Sequence, residues 1–121
     1  VAAGQRLICA SADLQERGKG VRFSVERYGH TQPAFAVRFN GVVRAYLNRC
    51  THVWVELDWV EGEFFDLSGL YLVCETHGAA YLPESGRCIA GPCSGRGLTP
   101  VRVTEADGNV FLIDQDTVPN G

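Results

Sequence analysis

Short apolar-rich segments of strand length, some alternating with polar residues, are punctuated by turn residues along this chain. In residues 34–39, Phe35, Val37 and Phe39 alternate with small or charged residues, which predicts a strand. Asn40-Gly41 supplies the two positive-φ positions of a tight hairpin turn, and residues 42–48 return as the partner strand. Residues 70–74 and 80–82 predict a second pair, and Pro83-Glu84-Ser85-Gly86 turns the chain into a strand over 87–89. A last hairpin is expected from residues 98–103 and 110–113, turning at Asp107-Gly108-Asn109, with further strands at 5–9 and 21–25. Residues 17–20, Arg-Gly-Lys-Gly, read as an exposed loop, and the tail from Asp114 as a frayed end. No window sustains a helical period over three turns, so the predicted class is all-β.

A length of 121 residues with 45% hydrophobic composition predicts one domain, 1–121, able to bury a core without disulfide staples. No apolar run approaches the length of a membrane-spanning helix, and the first residues do not resemble a secretory signal, so a soluble cytoplasmic protein is expected. The net charge is −3, unevenly spread. Residues 53–86 contain no Lys or Arg, whereas Glu56, Asp58, Glu61, Glu63, Asp66, Glu75 and Glu84 supply seven negatives, leaving the rest of the chain at +4. Such a run is either a solvated face or a docking surface for a basic protein. It would repel phosphates, and no basic-aromatic cluster offsets it, so nucleic acid is not an expected partner.

The chemistry concentrates in two short segments, Cys50-Thr51-His52 and Cys74-Glu75-Thr76-His77-Gly78, with 21 residues between the pairs. Each presents a soft thiolate and an imidazole within one connection between strands. Two such pairs suit a 2Fe-2S centre with unlike ends, and two Cys with two His also suit tetrahedral zinc. Of the remaining cysteines, Cys9 lies in an apolar run and reads as a small buried side chain. Cys88 and Cys93 flank Ile89-Ala90-Gly91-Pro92 and could bond if their α-carbons came within about 7 Å. In a reducing cytosol they are expected as thiols.

The spacings Cys-x-His and Cys-x-x-His, with Gly86, Gly91-Pro92 and Leu98 downstream, resemble the Rieske 2Fe-2S domain family over most of the chain. That resemblance implies an antiparallel β-sandwich or incomplete barrel as base and a small cluster-binding lobe, about residues 48–93. It implies that Cys50 and Cys74 bind one iron and His52 and His77 the other, with the histidines at a solvent-facing tip. Neutral imidazoles leave the oxidised centre with no net charge, so the incoming electron is repelled less than by a four-cysteine cluster. Potentials of roughly −150 to +300 mV, against about −400 mV for plant-type ferredoxins, follow from that difference. Respiratory and photosynthetic members carry an extra bonded cysteine in each ligand loop. Here Val55 and Thr76 stand at those positions, and Ala79 replaces a serine that bonds a cluster sulfide, although Tyr81 matches the family tyrosine. The pattern resembles the soluble ferredoxins serving bacterial oxygenases, with a longer stretch between ligand pairs, so residues 59–66 are expected to follow their own course. Trp54, Trp59, Phe64 and Phe65 in that stretch are expected mostly as core of the lobe.

Only His30 remains once the cluster is supplied, too few ligands for a two-histidine, one-carboxylate iron site. His30 itself reads as a loop residue. No Gly-x-Gly-x-x-Gly segment follows a strand, so no dinucleotide is expected and electrons must come from another protein. The expected function is a non-enzymatic one-electron carrier between a reductase and an oxygenase-type terminal component. The alternatives are a redox-sensing or binding module using the cluster, and a zinc-binding domain.

Overall fold

The computed structural model describes residues 6–27, 29–49, 56–58, 60–74, 78–91 and 96–113. Nine strands are found among them: β1 (Arg6–Ala10), β2 (Val21–Arg27), β3 (His30–Phe39), β4 (Val42–Leu47), β5 (Leu72–Cys74), β6 (Ala79–Tyr81), β7 (Cys88–Ala90), β8 (Val103–Ala106) and β9 (Asn109–Leu112). A single 3-10 turn at Ser11–Asp13 is the one helical element described. The strands form three antiparallel sheets of three, ordered β1-β9-β8, β2-β3-β4 and β5-β6-β7. No described helix is long and apolar enough to cross a membrane.

The hairpin read from Asn40-Gly41 forms as expected: φ is 54° and 78°, and β3 and β4 pair from Phe39↔Val42 to Ala34↔Leu47. Ala34, Phe35, Ala36 and Val37 are all buried, so both faces of this part of β3 are covered. Phe35 and Val37 pack with Leu57, Phe64, Leu72 and Tyr81, whereas Ala34 and Ala36 pack with Leu14, Val25, Val101, Val110 and Leu112. One strand thus serves two cores, and alanine on its second face leaves room for the β1-β9-β8 side to approach.

β3 also starts earlier than expected, and His30, read as a loop residue, is its first residue, paired with Arg27. Pro33 is tolerated inside the strand for a specific reason. Its carbonyl points toward the β4 side and accepts from the Asn48 N–H at 2.8 Å. An antiparallel residue directs N–H and C=O to the same side, so the absent N–H faces the end of the β4 ladder, where it forgoes one bond to Asn48, and the pairing of Pro33 with Ser24 of β2 loses none.

Residues 98–103 differ from expectation. The strand of the last hairpin is Val103–Ala106, turning at Asp107 and Gly108, while the chain before it crosses between sheets. Leu98 N–H donates to the Gly86 carbonyl at 2.8 Å, Leu47 N–H to Thr99 at 2.9 Å, and Val101 N–H to Ala45 at 2.9 Å. This crossing covers the open edge of β4 and ties the lobe to the base. Residues 17–20 are more than an exposed loop: Arg17 lies over the Phe39 ring at 4.9 Å, and a Cβ on Gly20 would meet Ala36 O and Phe64 Cδ2 at 2.8 Å. The frayed tail expected from Asp114 lies outside the described residues.

Candidate metal centre

The second ligand segment grows out of the smallest hairpin. β5 and β6 pair at Leu72↔Tyr81, Val73↔Ala80 and Cys74↔Ala79, and Gly78 N–H donates to the Cys74 carbonyl at 2.8 Å. Gly78, at φ 70°, closes the turn. Directly opposed and alternate residues share a sheet face. Leu72, Cys74, Ala79 and Tyr81 therefore form one face with Cys88, the partner of Tyr81, and all five are buried. The chain passes from a Cys74 with no exposed surface to an exposed Gly78 within four residues, and His77 lies in that interval.

Gly91 closes over this turn. Its φ is 92°, and a Cβ there would stand 2.8 Å from Ala79 Cα and 3.2 Å from the Gly78 carbonyl. Gly86 is equally constrained, since a Cβ would fall 2.8 Å from Tyr46 Cε1. Tyr46 is itself anchored, its hydroxyl donating to the Pro83 carbonyl at 2.6 Å, and burial pushes its pKa up to about 12. The phenol stays neutral and acts as a strut between β4 and the 83–86 turn.

Phe64 joins the lobe to the base, stacking on Phe35 of β3 with centroids 3.9 Å apart and planes 12° from parallel. Residues 64–66 of the stretch between the ligand pairs run beside the strand that follows them. Val73 N–H donates to Phe64 O and Asp66 N–H to Tyr71 O, both at 2.9 Å, and Phe65 bridges Leu72. Residues 64–66 thereby extend the small sheet beyond β5. Trp54 and Trp59 lie outside the described residues.

Of the four candidate ligands the structure describes only Cys74; Cys50, His52 and His77 lie outside the described residues, as do Val55 and Thr76. Among the described residues no three His, Cys, Asp or Glu side chains converge. At Cys74 the surroundings nevertheless suit an iron–sulfur centre. The residue retains its thiol, sits on a buried apolar face, and borders a turn opening to solvent. A buried thiolate requires compensating positive charge, which a ferric centre supplies.

Cys88, expected as a thiol, is disulfide-bonded, and its partner lies outside the described residues. Compartment redox arguments carry no distance information, and pairing depends on distance. Cys9, expected as buried, is half-buried against the base core, its thiol pKa raised by burial and by Asp13.

The acidic stretch is less uniform than its composition. Asp58 is fully buried at its side chain, paired with Arg22 Nε at 2.9 Å. Burial pushes its pKa up, but Arg22, the Gly62 N–H and Asn48 outweigh that and leave it lowered. Glu56 also meets Arg22, at 3.1 Å, and Asp66 accepts from Ser68 and the Gly69 N–H. Glu61, Glu63 and Glu84 are exposed, whereas Glu75 lies outside the described residues. Charge counting along the sequence missed the Asp58 pairing, which needs Arg22, 36 residues earlier in the chain.

Three antiparallel sheets, with a buried thiol beside a hairpin turn that a glycine loop covers, make an all-β domain. The family model for the Rieske 2Fe-2S domain matches residues 5–113, and the chain belongs to that family. No curated protein sequence matches it. The fold is similar to a chain in a complex of reduced oxygenase and oxidised ferredoxin in carbazole 1,9a-dioxygenase, at 23% identity and a TM-score of 0.71 over 97% of this chain and 99% of that one. It is also similar to the Sphingomonas yanoikuyae B1 ferredoxin, at 25% identity and a TM-score of 0.68 over 92% of this chain and 98% of that one. A third likeness is to the terminal oxygenase of carbazole 1,9a-dioxygenase from Novosphingobium sp. KA1. There 28% identity and a TM-score of 0.69 cover 95% of this chain but 31% of that one.

Proposed function

We propose that this chain is a Rieske-type ferredoxin that carries one electron from a reductase to an oxygenase-type terminal component, without a catalytic site of its own. The observation carrying the proposal is likeness over nearly the whole length of both chains to ferredoxins, among them a ferredoxin of carbazole 1,9a-dioxygenase. One 2Fe-2S centre, held by Cys50, His52, Cys74 and His77, would supply reversible one-electron chemistry. Cys74 would supply a thiolate from the buried face, and His77, next to exposed Gly78, would present its ring toward a partner. Lobe residues 48–93 would form the electron-transfer end of a single domain. Exposed Glu61 and Glu63 would favour partners with a basic docking face. A cytoplasmic location fits a protein that exchanges electrons with soluble components.

A second reading has its own support: the same fold occupies part of a longer terminal oxygenase. The test uses NADH, the reductase of a carbazole-type dioxygenase, and cytochrome c as acceptor. A ferredoxin raises cytochrome c reduction in proportion to its concentration. Reduction of the holoprotein only when another ferredoxin is added would favour the oxygenase-domain reading, and no reduction by either route would contradict both.

A further inference from the structure

The segment containing Cys50 and His52 begins and ends at one buried polar knot. Asn48, 1% exposed, directly follows β4, and its N–H donates to the Pro33 carbonyl at 2.8 Å. Its side-chain Oδ1 accepts from the Leu57 N–H at 2.9 Å, and its Nδ2 donates to Asp58 Oδ1 at 3.1 Å. Asp58 Oδ2 accepts from the Gly62 N–H and from Arg22 Nε, each at 2.9 Å, while Oδ1 accepts from Arg22 Nη2 at 3.0 Å. Each side-chain oxygen of the pair is thus engaged, and the buried carboxylate is retained by four donor contacts, including a two-toothed guanidinium.

Residues 48 and 57–58 are the two ends of a segment whose interior, 49–56, carries half of the proposed ligand set. Apolar residues could have closed the same gap at less desolvation cost, but they would not fix direction as these hydrogen bonds do. Arg22 adds a second tie, because it belongs to β2 of the base sheet. The knot therefore references the loop ends to the base as well as to each other.

We propose that Asn48, Asp58 and Arg22 are positioning residues for the first ligand pair, holding the mouth of the 49–56 loop so that Cys50 and His52 keep a fixed relation to iron. The inference rests on the ligand assignment proposed above. Partners behind metal ligands commonly change metal affinity 10- to 100-fold when removed. The effect here should lie near the lower end, because the knot acts through the loop ends.

The test compares the purified holoprotein with Asn48→Asp, Asp58→Asn and the double exchange Asn48→Asp/Asp58→Asn. A control, Val110→Ala, empties a site buried in the base core, away from the lobe cluster. Iron release to a chelator is followed by loss of visible absorption, alongside the reduced EPR line shape and circular-dichroism melting. Asn48→Asp faces two carboxylates across a 3.1 Å contact, and Asp58→Asn faces two amide donors or loses the guanidinium pairing. Each single exchange should speed release about 10-fold and broaden the EPR signal. The double exchange restores one donor and one acceptor across the contact but turns an amide NH2 toward Arg22 Nη2, so it should recover part of the parent rate and no more. Val110→Ala should lower the melting temperature with release within about twofold of parent. Parent-like release and line shape in the folded single variants would overturn the proposal, as would release that simply tracks melting temperature in all variants. If the single variants do not fold, Arg22→Lys keeps the charge and loses the fork, and it should show a smaller increase; parent-like release there overturns the proposal too. A parent without any 2Fe-2S centre would instead refute the ligand assignment.

Discussion

Replacing Ala79 by serine places a hydroxyl on the face that carries Cys74. The two residues are directly opposed in the β5–β6 ladder, and both are fully buried. A hydroxyl there has two fates. If a cluster sulfur or the Cys74 thiolate lies within reach, it gains a charge-assisted hydrogen bond worth about 1.5 to 3 kcal/mol. With ~59 mV per tenfold change for one electron, that bond bounds the effect at roughly 65 to 130 mV. Only its strengthening on reduction counts, so a rise of tens of millivolts is expected, with little change in melting temperature. If no charged sulfur is near, the hydroxyl is a buried unsatisfied group costing about 1 to 3 kcal/mol, and melting falls while potential stays constant. Voltammetry and thermal melting of the same holoprotein separate these outcomes. An unchanged potential with a lowered melting temperature would refute the placement of the centre beside Cys74. The parent, lacking this donor, should lie in the lower half of the family range, roughly −150 to 0 mV; a value near +300 mV would contradict that reading of its surroundings.

Three further outcomes are expected. Phe64→Ala removes the ring stacked on Phe35 and should destabilise the fold by about 3 to 5 kcal/mol in chemical denaturation; a loss below about 1 kcal/mol would show that the lobe does not depend on this contact. Reversing Glu61 and Glu63 to Lys should slow electron transfer with a basic partner at low ionic strength and matter little at several hundred millimolar salt; equal rates at low salt would mark a merely solvated face. Arg38, bonded at 2.7 Å, holds the Glu105 carboxyl down to about 2 from an ordinary 4.5. Because the folded value is the lower one, this pair stabilises above about pH 4.5, and its contribution fades as pH falls toward 2. Partly exposed as it is, the pair is worth up to about 1 kcal/mol, so Glu105→Gln should shift acid unfolding slightly toward neutral pH, with a smaller difference from parent at pH 2 than at pH 7.

Local chemistry made part of this fold legible. Asn40-Gly41 specifies its turn because few other dipeptides accept two positive φ angles, and the register of β3 and β4 follows from it. The thiol–imidazole spacings likewise point to the metal chemistry without tertiary information. Features depending on distant contacts were hidden. Ala34 and Ala36 look like a strand's outer face until a second core is found against them. Pro33 suggests a break until the end of β4 explains its missing donor. Asp58 resembles its acidic neighbours in sequence, yet Arg22 and Asn48 make it a buried structural carboxylate. The Cys88 disulfide and the pairing of residues 64–66 with 71–73 are similarly matters of approach in space.

The central claim is that two cysteines and two histidines hold a redox-active iron–sulfur centre in this chain. EPR of the dithionite-reduced protein, prepared with natural and with 15N-labelled histidine, tests it most directly. An axial-to-rhombic signal of low average g is expected, with nitrogen hyperfine couplings that change on labelling and vanish in part when His52 or His77 is replaced by Cys. A reduced signal without nitrogen coupling, or an EPR-silent protein holding one equivalent of zinc, would contradict it.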